Sequence, residues 1–358
     1  MPRLRRSDCA APGIARRKRG RGFEYVDDSG ERIDDEETIE RIRSLVIPPG
    51  WQDVWICSDP LGHIQATGID ARGRKQYRYH DRWRERRDRE KFDAMVDFAR
   101  ALPQLREQVE TDLRRRRISR ERVLACAVRL LDRGFFRIGS ESYAEENETY
   151  GLATMRKRHV QVEGDRVVFD YEAKGGKRRV QVVGDPNIAG LVRTLRKRRG
   201  GGRELLAYRS GNGDGWRDIR SEDINDYIKE AIGERHSAKD FRTWNATVLA
   251  AVVLAASARE RDLSTKGARA RAKRDAVKEV ARYLGNTPAV CRASYIDPRV
   301  FDRFDGGLTI GGALPELAED TAPWPDVQRA VEEAVLDLIA DNRESDLLEE
   351  GVELAAVA

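Results

Sequence analysis

The sequence predicts an α+β protein, with a small β-rich N-terminal domain followed by a mainly α-helical domain that carries a three-stranded β-meander. Three observations predict it. Between residues 22 and 80, short runs of Val, Ile, Trp, Thr and Tyr are punctuated by turn residues. From Asp81 onward, apolar residues recur at helical spacing. Residues 159–183 then interrupt that texture with three short strand-like runs joined by tight turns.

The elements follow in chain order. Arg3, Arg5, Arg6, Arg16, Arg17, Lys18, Arg19 and Arg21 crowd the first 21 residues without an apolar run, so a disordered basic arm is expected there and not a secretory signal. Val54-Trp55-Ile56 runs into the turn Asp59-Pro60-Leu61-Gly62, and His63–Thr67 returns from it. A second turn over Asp70–Gly73 leads to Lys75-Gln76-Tyr77-Arg78-Tyr79. Phe92, Met95, Val96 and Ala99 mark one helical face; Val123, Leu124, Ala127, Val128, Leu130 and Leu131 mark another. The meander is expected over 159–162, 167–171 and 179–183, with turns at Glu163-Gly164-Asp165 and Lys174-Gly175-Gly176-Lys177. Helices are expected over 221–232, 243–258 and 274–284, with an exposed basic linker over 264–273. These textures divide the chain into a basic arm (1–21), a β-rich domain (22–84), a mainly helical domain (85–314) and an acidic, partly helical tail (315–358).

Charge narrows the partners. The chain has 358 residues and a net charge of +5, but residues 315–358 hold 13 acidic side chains against two basic ones. The remaining 314 residues therefore carry +16, which favours a polyanion, because neutralising phosphates releases counterions. The longest apolar run, Val248–Ala256, is far shorter than the ~20 residues of a membrane span and reads as a buried helix. Cys9, Cys57, Cys126 and Cys291 form no C-x-x-C pair, which argues against a disulfide framework or structural zinc and fits a reduced cytoplasmic compartment.

Four local constellations could carry chemistry: Phe136-Arg137-Ile138-Gly139-Ser140-Glu141 after an apolar helix, Lys174 on the Gly-rich turn, Lys239-Asp240-Phe241-Arg242 entering another apolar helix with Asp240 or Thr243 as its cap, and Leu284-Gly285-Asn286-Thr287-Pro288 followed by Ser294-Tyr295-Ile296. Each alone has an ordinary structural explanation. Together they meet the needs of phosphodiester transfer. Arginine presents a fork that binds two phosphate oxygens, lysine can protonate a leaving oxygen, and tyrosine can form the covalent ester.

The order Arg, Lys, Lys-x-x-Arg, L-G-[HN]-T and S-x-Y resembles the type IB DNA topoisomerases, in particular the compact poxviral and bacterial ones, over roughly residues 22–312. The resemblance implies a clamp around double-stranded DNA that cuts and reseals one strand, with Tyr295 as nucleophile leaving a 3′-phosphotyrosine. It implies Arg137 and Arg242 on the non-bridging oxygens, Lys174 as the acid for the 5′ oxygen, and Lys239 beside the phosphate. Many relatives have histidine where Asn286 stands; asparagine can donate a hydrogen bond but cannot act as a base. The segment 73–79 resembles the family's DNA-contacting strand, which implies contacts from Lys75, Gln76, Tyr77 and Tyr79, with Ser140 and Tyr143 near the cut. The implied enzyme works as a monomer at the nucleoid, with no membrane attachment. It needs neither ATP nor metal, and the sequence shows no Walker A loop and no carboxylate cluster for a metal. The rival readings are a tyrosine recombinase and a non-catalytic DNA architectural protein.

Overall fold

A computed structural model of the chain describes residues 2–210, 215–314 and 324–350. The chain divides into two compact units, Met1–Lys91 and Phe92–Ala358.

The first unit is a five-stranded antiparallel sheet in the order β2-β1-β3-β4-β5. Its strands are β1 (Ile14–Arg19), β2 (Gly22–Val26), β3 (Gln52–Ile56), β4 (Ile64–Ile69) and β5 (Lys75–Tyr79), with helix α1 (Glu36–Ser44) between β2 and β3. Ile14, Ile42, Val54, Ile56 and Ala66 form its core. The expected disordered arm over 1–21 is corrected here. Residues 14–19 pair with β2 and β3. The Arg5 N–H donates to the Leu61 carbonyl, and the His63 N–H to the Arg5 carbonyl, each at 2.9 Å. Backbone groups need partners whatever their side chains, and a strand paired on both sides, with Ile14 as its one buried side chain, accommodates basic residues on its exposed positions.

Helix α2 (Asp81–Leu113) leads into the second unit, followed by α3 (Arg120–Gly134) and α4 (Glu141–Asn147). The meander is β6 (Val160–Glu163), β7 (Arg166–Ala173) and β8 (Lys177–Gly184), paired in that order. Then come α5 (Pro186–Lys197), the short pair β9 (Ala207–Arg209) and β10 (Trp216–Asp218), α6 (Ser221–Ile232), α7 (Ala238–Glu260), α8 (Lys266–Leu284), α9 (Pro288–Ser294) and α10 (Pro298–Asp305). Strand β11 (Leu308–Thr309) pairs with β12 (Glu349–Glu350), and helix α11 (Trp324–Ala340) lies between them in sequence.

Helix α7 is the axis of this unit. It is long and apolar enough to cross a membrane by length and composition, yet Phe241, Trp244, Ala246, Ala250, Leu254 and Ala255 are buried in the core. Each large apolar side chain buried this way contributes roughly 1.5–3 kcal/mol. A capping box starts the helix: the Ser237 N–H donates to the Asp240 carboxylate at 2.8 Å. Asp240 therefore completes the cap from the third helical position and Thr243 takes no part. Residues 264–273 also depart from expectation. From Lys266 they form the first half of α8, because Ala, Arg and Lys are good helix formers and Ala272 is fully buried. In the expected acidic tail, Val331, Ala334, Val335 and Leu338 of α11 pack into the core, while residues 315–323 and 351–358 lie outside the described residues.

Candidate active site

Four backbone features deliver the candidate residues. Helix α3 ends at Phe135 in the left-handed conformation (φ 55°), which turns the chain so that Arg137 leaves the helix. The next residues lie against 151–153: the Leu152 and Ala153 N–H groups donate to the Arg137 and Ile138 carbonyls, both at 2.8 Å. Gly139 makes this approach possible, since a Cβ there would stand 2.9 Å from the Gly151 Cα. Lys174 occupies the β7–β8 turn, which closes through Gly175 and Gly176, both at positive φ. Helix α7 presents Lys239 and Arg242 in its first two turns. Tyr295 is the C-cap of α9, two residues before Asp297 caps α10.

These elements enclose a pocket of about 390 Å³ lined by Arg137, Ser140, Lys174, Lys239, Arg242 and Tyr295, among others. Asn286 stands behind Arg137, and its side-chain oxygen accepts from the Arg137 guanidinium. Arg242 is 5% exposed; it donates to the Phe135 carbonyl at 2.8 Å and the Leu284 carbonyl at 3.1 Å. Its guanidinium carbon lies 5.2 Å from the centre of the Tyr295 ring.

The electrostatics are unusual. Among the described residues, neither Arg137 nor Arg242 has a carboxylate within 4 Å. Burial, and then the charge of Arg137, push Arg242 down to about 10. Burial would raise the Tyr295 phenol, but Arg242 and Arg137 outweigh it and hold the phenol below its ordinary value. Arg242 Nε and Thr149 Oγ1, both on pocket-lining residues, are buried without a hydrogen-bond partner. Asn286 Nδ2 also makes no well-formed hydrogen bond, although the amide is near enough to Tyr295 to help lower its pKa. Such a site is built for an anion with several acceptor oxygens.

The structure thus brings together Arg137, Lys174, Lys239, Arg242, Asn286, Tyr295 and Ser140. Lys75, Gln76, Tyr77 and Tyr79 lie on β5 of the first unit and split between two faces. Tyr77 and Tyr79 are exposed and stacked, with centroids 6.0 Å apart, and the Lys75 ammonium lies 6.0 Å from the Tyr77 ring. Gln76 is on the opposite face, where its amide donates to Asp70 at 2.9 Å. The Tyr143 side chain lies outside the described residues. Sequence reasoning missed Arg179, whose charge bears on both Arg242 and Tyr171.

Residues 80–304 match the family model of the eukaryotic DNA topoisomerase I catalytic core, and residues 22–70 match that of the bacterial DNA topoisomerase IB N-terminal domain. The chain is 32% identical over 288 residues to DNA topoisomerase 1B of Acanthamoeba polyphaga mimivirus, covering 79% of this chain and 85% of the viral one. The chain belongs to the type IB DNA topoisomerases. More distant members of the family match shorter stretches. DNA topoisomerase 1B of Vaccinia virus (strain Copenhagen) is 23% identical over 39% of this chain and 46% of its own. DNA topoisomerase 1 beta of Arabidopsis thaliana is 26% identical over 50% of this chain and 18% of its own. Type IB topoisomerases are isomerases that act on DNA, so the recombinase and architectural readings are set aside.

Proposed function

We propose that the chain relaxes supercoiled double-stranded DNA by transient cleavage of one strand through Tyr295, acting as a monomer without ATP or metal. The observation that carries this reading is the buried Arg242 and the half-buried Arg137, unneutralised by any described carboxylate, gathered on one pocket with a tyrosine whose pKa they lower.

The chemistry follows from the placement. The Tyr295 phenol loses its proton to solvent, and its oxygen attacks the phosphorus. Arg137 and Arg242 stabilise the charge that grows on the non-bridging oxygens, where fixed donors are worth most. Lys174 gives its proton to the 5′ oxygen as the phosphorus–oxygen bond breaks, leaving a free 5′-hydroxyl and a 3′-phosphotyrosine. Lys239 and the Asn286 amide supply further donors to the phosphate. Resealing runs the same steps backwards. The ester bond to tyrosine keeps the energy of the broken phosphodiester, so the cycle needs no fuel. All these groups come from one chain, which supports the monomer. The exposed Tyr77–Tyr79 pair with Lys75 supports a second DNA contact on β5, since aromatic and basic groups together suit bases, sugars and phosphates.

The test is relaxation of a plasmid in EDTA without ATP, together with denaturant trapping of protein on DNA. Wild type should relax both positive and negative supercoils and leave a trapped adduct. Tyr295→Phe should bind duplex nearly as well and leave none. An adduct in the mutant moves the nucleophile to another residue, and a strict need for magnesium or ATP sinks the mechanism.

A further inference from the structure

Three arginines from three different elements grip one short turn. Arg179 on β8 donates to the Tyr283 carbonyl at 2.5 Å, Arg242 on α7 donates to the Leu284 carbonyl at 3.1 Å, and Arg137 after α3 donates to the Asn286 side-chain oxygen. These acceptors sit at the C-terminus of α8, where carbonyls lack intrahelical donors and the helix dipole is negative. The turn passes through Gly285 at φ +62°, and an added Cβ there would collide with the Arg179 guanidinium.

Arg179 also leads elsewhere. It bears on the Tyr171 hydroxyl, which donates to Gln181 at 2.6 Å, and the Gln181 amide donates to the Gly134 carbonyl at the end of α3. One chain of polar contacts therefore runs from the end of α8, which carries Asn286, to the end of α3, which precedes Arg137. It crosses the β7–β8 hairpin, whose turn carries Lys174. Arg179 is half-buried and does not line the pocket, and burial, with opposition from Arg137, holds its pKa below the ordinary arginine value.

We propose that Arg179 is a positioning residue for strand cleavage: it fixes the Tyr283–Asn286 turn so that Asn286 meets Arg137, and does not itself touch DNA. The inference rests on the cleavage mechanism proposed above. A misplacement of about 1 Å in such a site can cost around 100-fold in rate, so Arg179→Ala should slow single-turnover cleavage roughly 10- to 100-fold. Duplex affinity should stay within about two-fold, because no phosphate contact is lost. Arg179→Lys keeps one donor and should recover part of the rate.

The deciding measurement is a double-mutant cycle with Asn286→Ala, reading cleavage rate, duplex affinity and thermal midpoint for each full-length variant. If Arg179 acts through the turn, Arg179→Ala should cost less than about three-fold once Asn286 is alanine, since coupled residues are non-additive. The full loss in both backgrounds overturns the proposal, as does a wild-type cleavage rate in Arg179→Ala. A fall in duplex affinity matching the fall in rate also overturns it, by making Arg179 a DNA contact. Should Arg179→Ala not fold, the same cycle with Tyr171→Phe and Arg179→Lys decides, and additive losses there count against the proposal. Failure of wild type to form any adduct would instead remove the cleavage mechanism itself.

Discussion

The Arg242 guanidinium lies 5.2 Å from the centre of the Tyr295 ring, and both are held on backbone that their own helices fix. Arg242 is anchored by two carbonyls and Tyr295 by the end of α9, so the pair is arranged before any DNA arrives. Several expectations depend on that arrangement.

The first concerns pH. A free tyrosine titrates near ~10, and here the two arginines lower it against the push of burial. In the proposed mechanism the phenolate is the attacking form, so a lowered pKa moves the rise of activity to more acidic pH. Single-turnover cleavage should climb with pH and level off below ~10. Arg242→Ala removes the larger lowering influence and leaves burial, so its break should move to higher pH as well as its rate falling. A wild-type break at or above ~10, or an acidward shift in the mutant, contradicts this account.

The role of Lys174 has a chemical test. A 5′ alkoxide is a poor leaving group and needs a proton as the bond breaks. Lys174→Ala should therefore cleave ordinary DNA ~100-fold or more slowly, with little change in binding. Replacing the bridging 5′ oxygen by sulfur gives a leaving group that needs little proton assistance, and the mutant should regain most of its rate. Arg137→Ala and Arg242→Ala should regain much less. Equal rescue of all three would remove the acid role from Lys174.

In the proposed mechanism Asn286 donates to the phosphate through its amide while its side-chain oxygen accepts from Arg137. Asn286→His should stay active, because imidazole also donates. Asn286→Ala should cleave roughly 10- to 1000-fold more slowly, the scale of losing one or two transition-state hydrogen bonds. A wild-type rate for the alanine variant would leave Asn286 only as the seat of Arg137.

Stability offers a separate check. Arg106 donates to Asp132 at 2.8 Å and to Glu332 at 2.6 Å, joining α2, α3 and α11. Removing one member of a largely buried ionic cluster costs about 3 kcal/mol or more, because the others are left uncompensated. Arg106→Ala should lower the denaturation midpoint by several degrees in calorimetry. An unchanged midpoint would mean that α11 contributes nothing through this cluster.

Much of this architecture was legible in the residues, and the exceptions have physical causes. Helix α6 runs over Ser221–Ile232, the span its apolar spacing indicates. The meander follows its alternation and paired glycines, with each strand slightly longer or shifted. Strand β1 was hidden because a strand with one inward anchor and several arginines looks like a solvated tail. The front half of α8 was hidden because small and basic residues suit a linker as well as a helix. In the site, Arg137, Lys174, Arg242, Asn286 and Tyr295 are recognisable by their order. Arg179 is not. It follows Lys177 and Arg178 in what reads as a charged surface strand, and only the pleat distinguishes them: Arg178 turns outward to Asp170, and Arg179 turns inward to the end of α8.

The position of Tyr295 in the chain has a mechanical consequence. It joins two short helices that both begin with proline, capped at their starts by Thr287 and Asp297, and its carbonyl accepts from the fully buried Thr247 hydroxyl at 3.3 Å. A DNA end esterified to this residue would be welded to a stiff mount with almost no travel of its own. The swivel would then have to lie in the nucleic acid, in the single bonds of the intact strand opposite the nick. Torque stored in the duplex would be spent turning the free end against solvent and the protein surface, as a shaft turns in a fixed bearing.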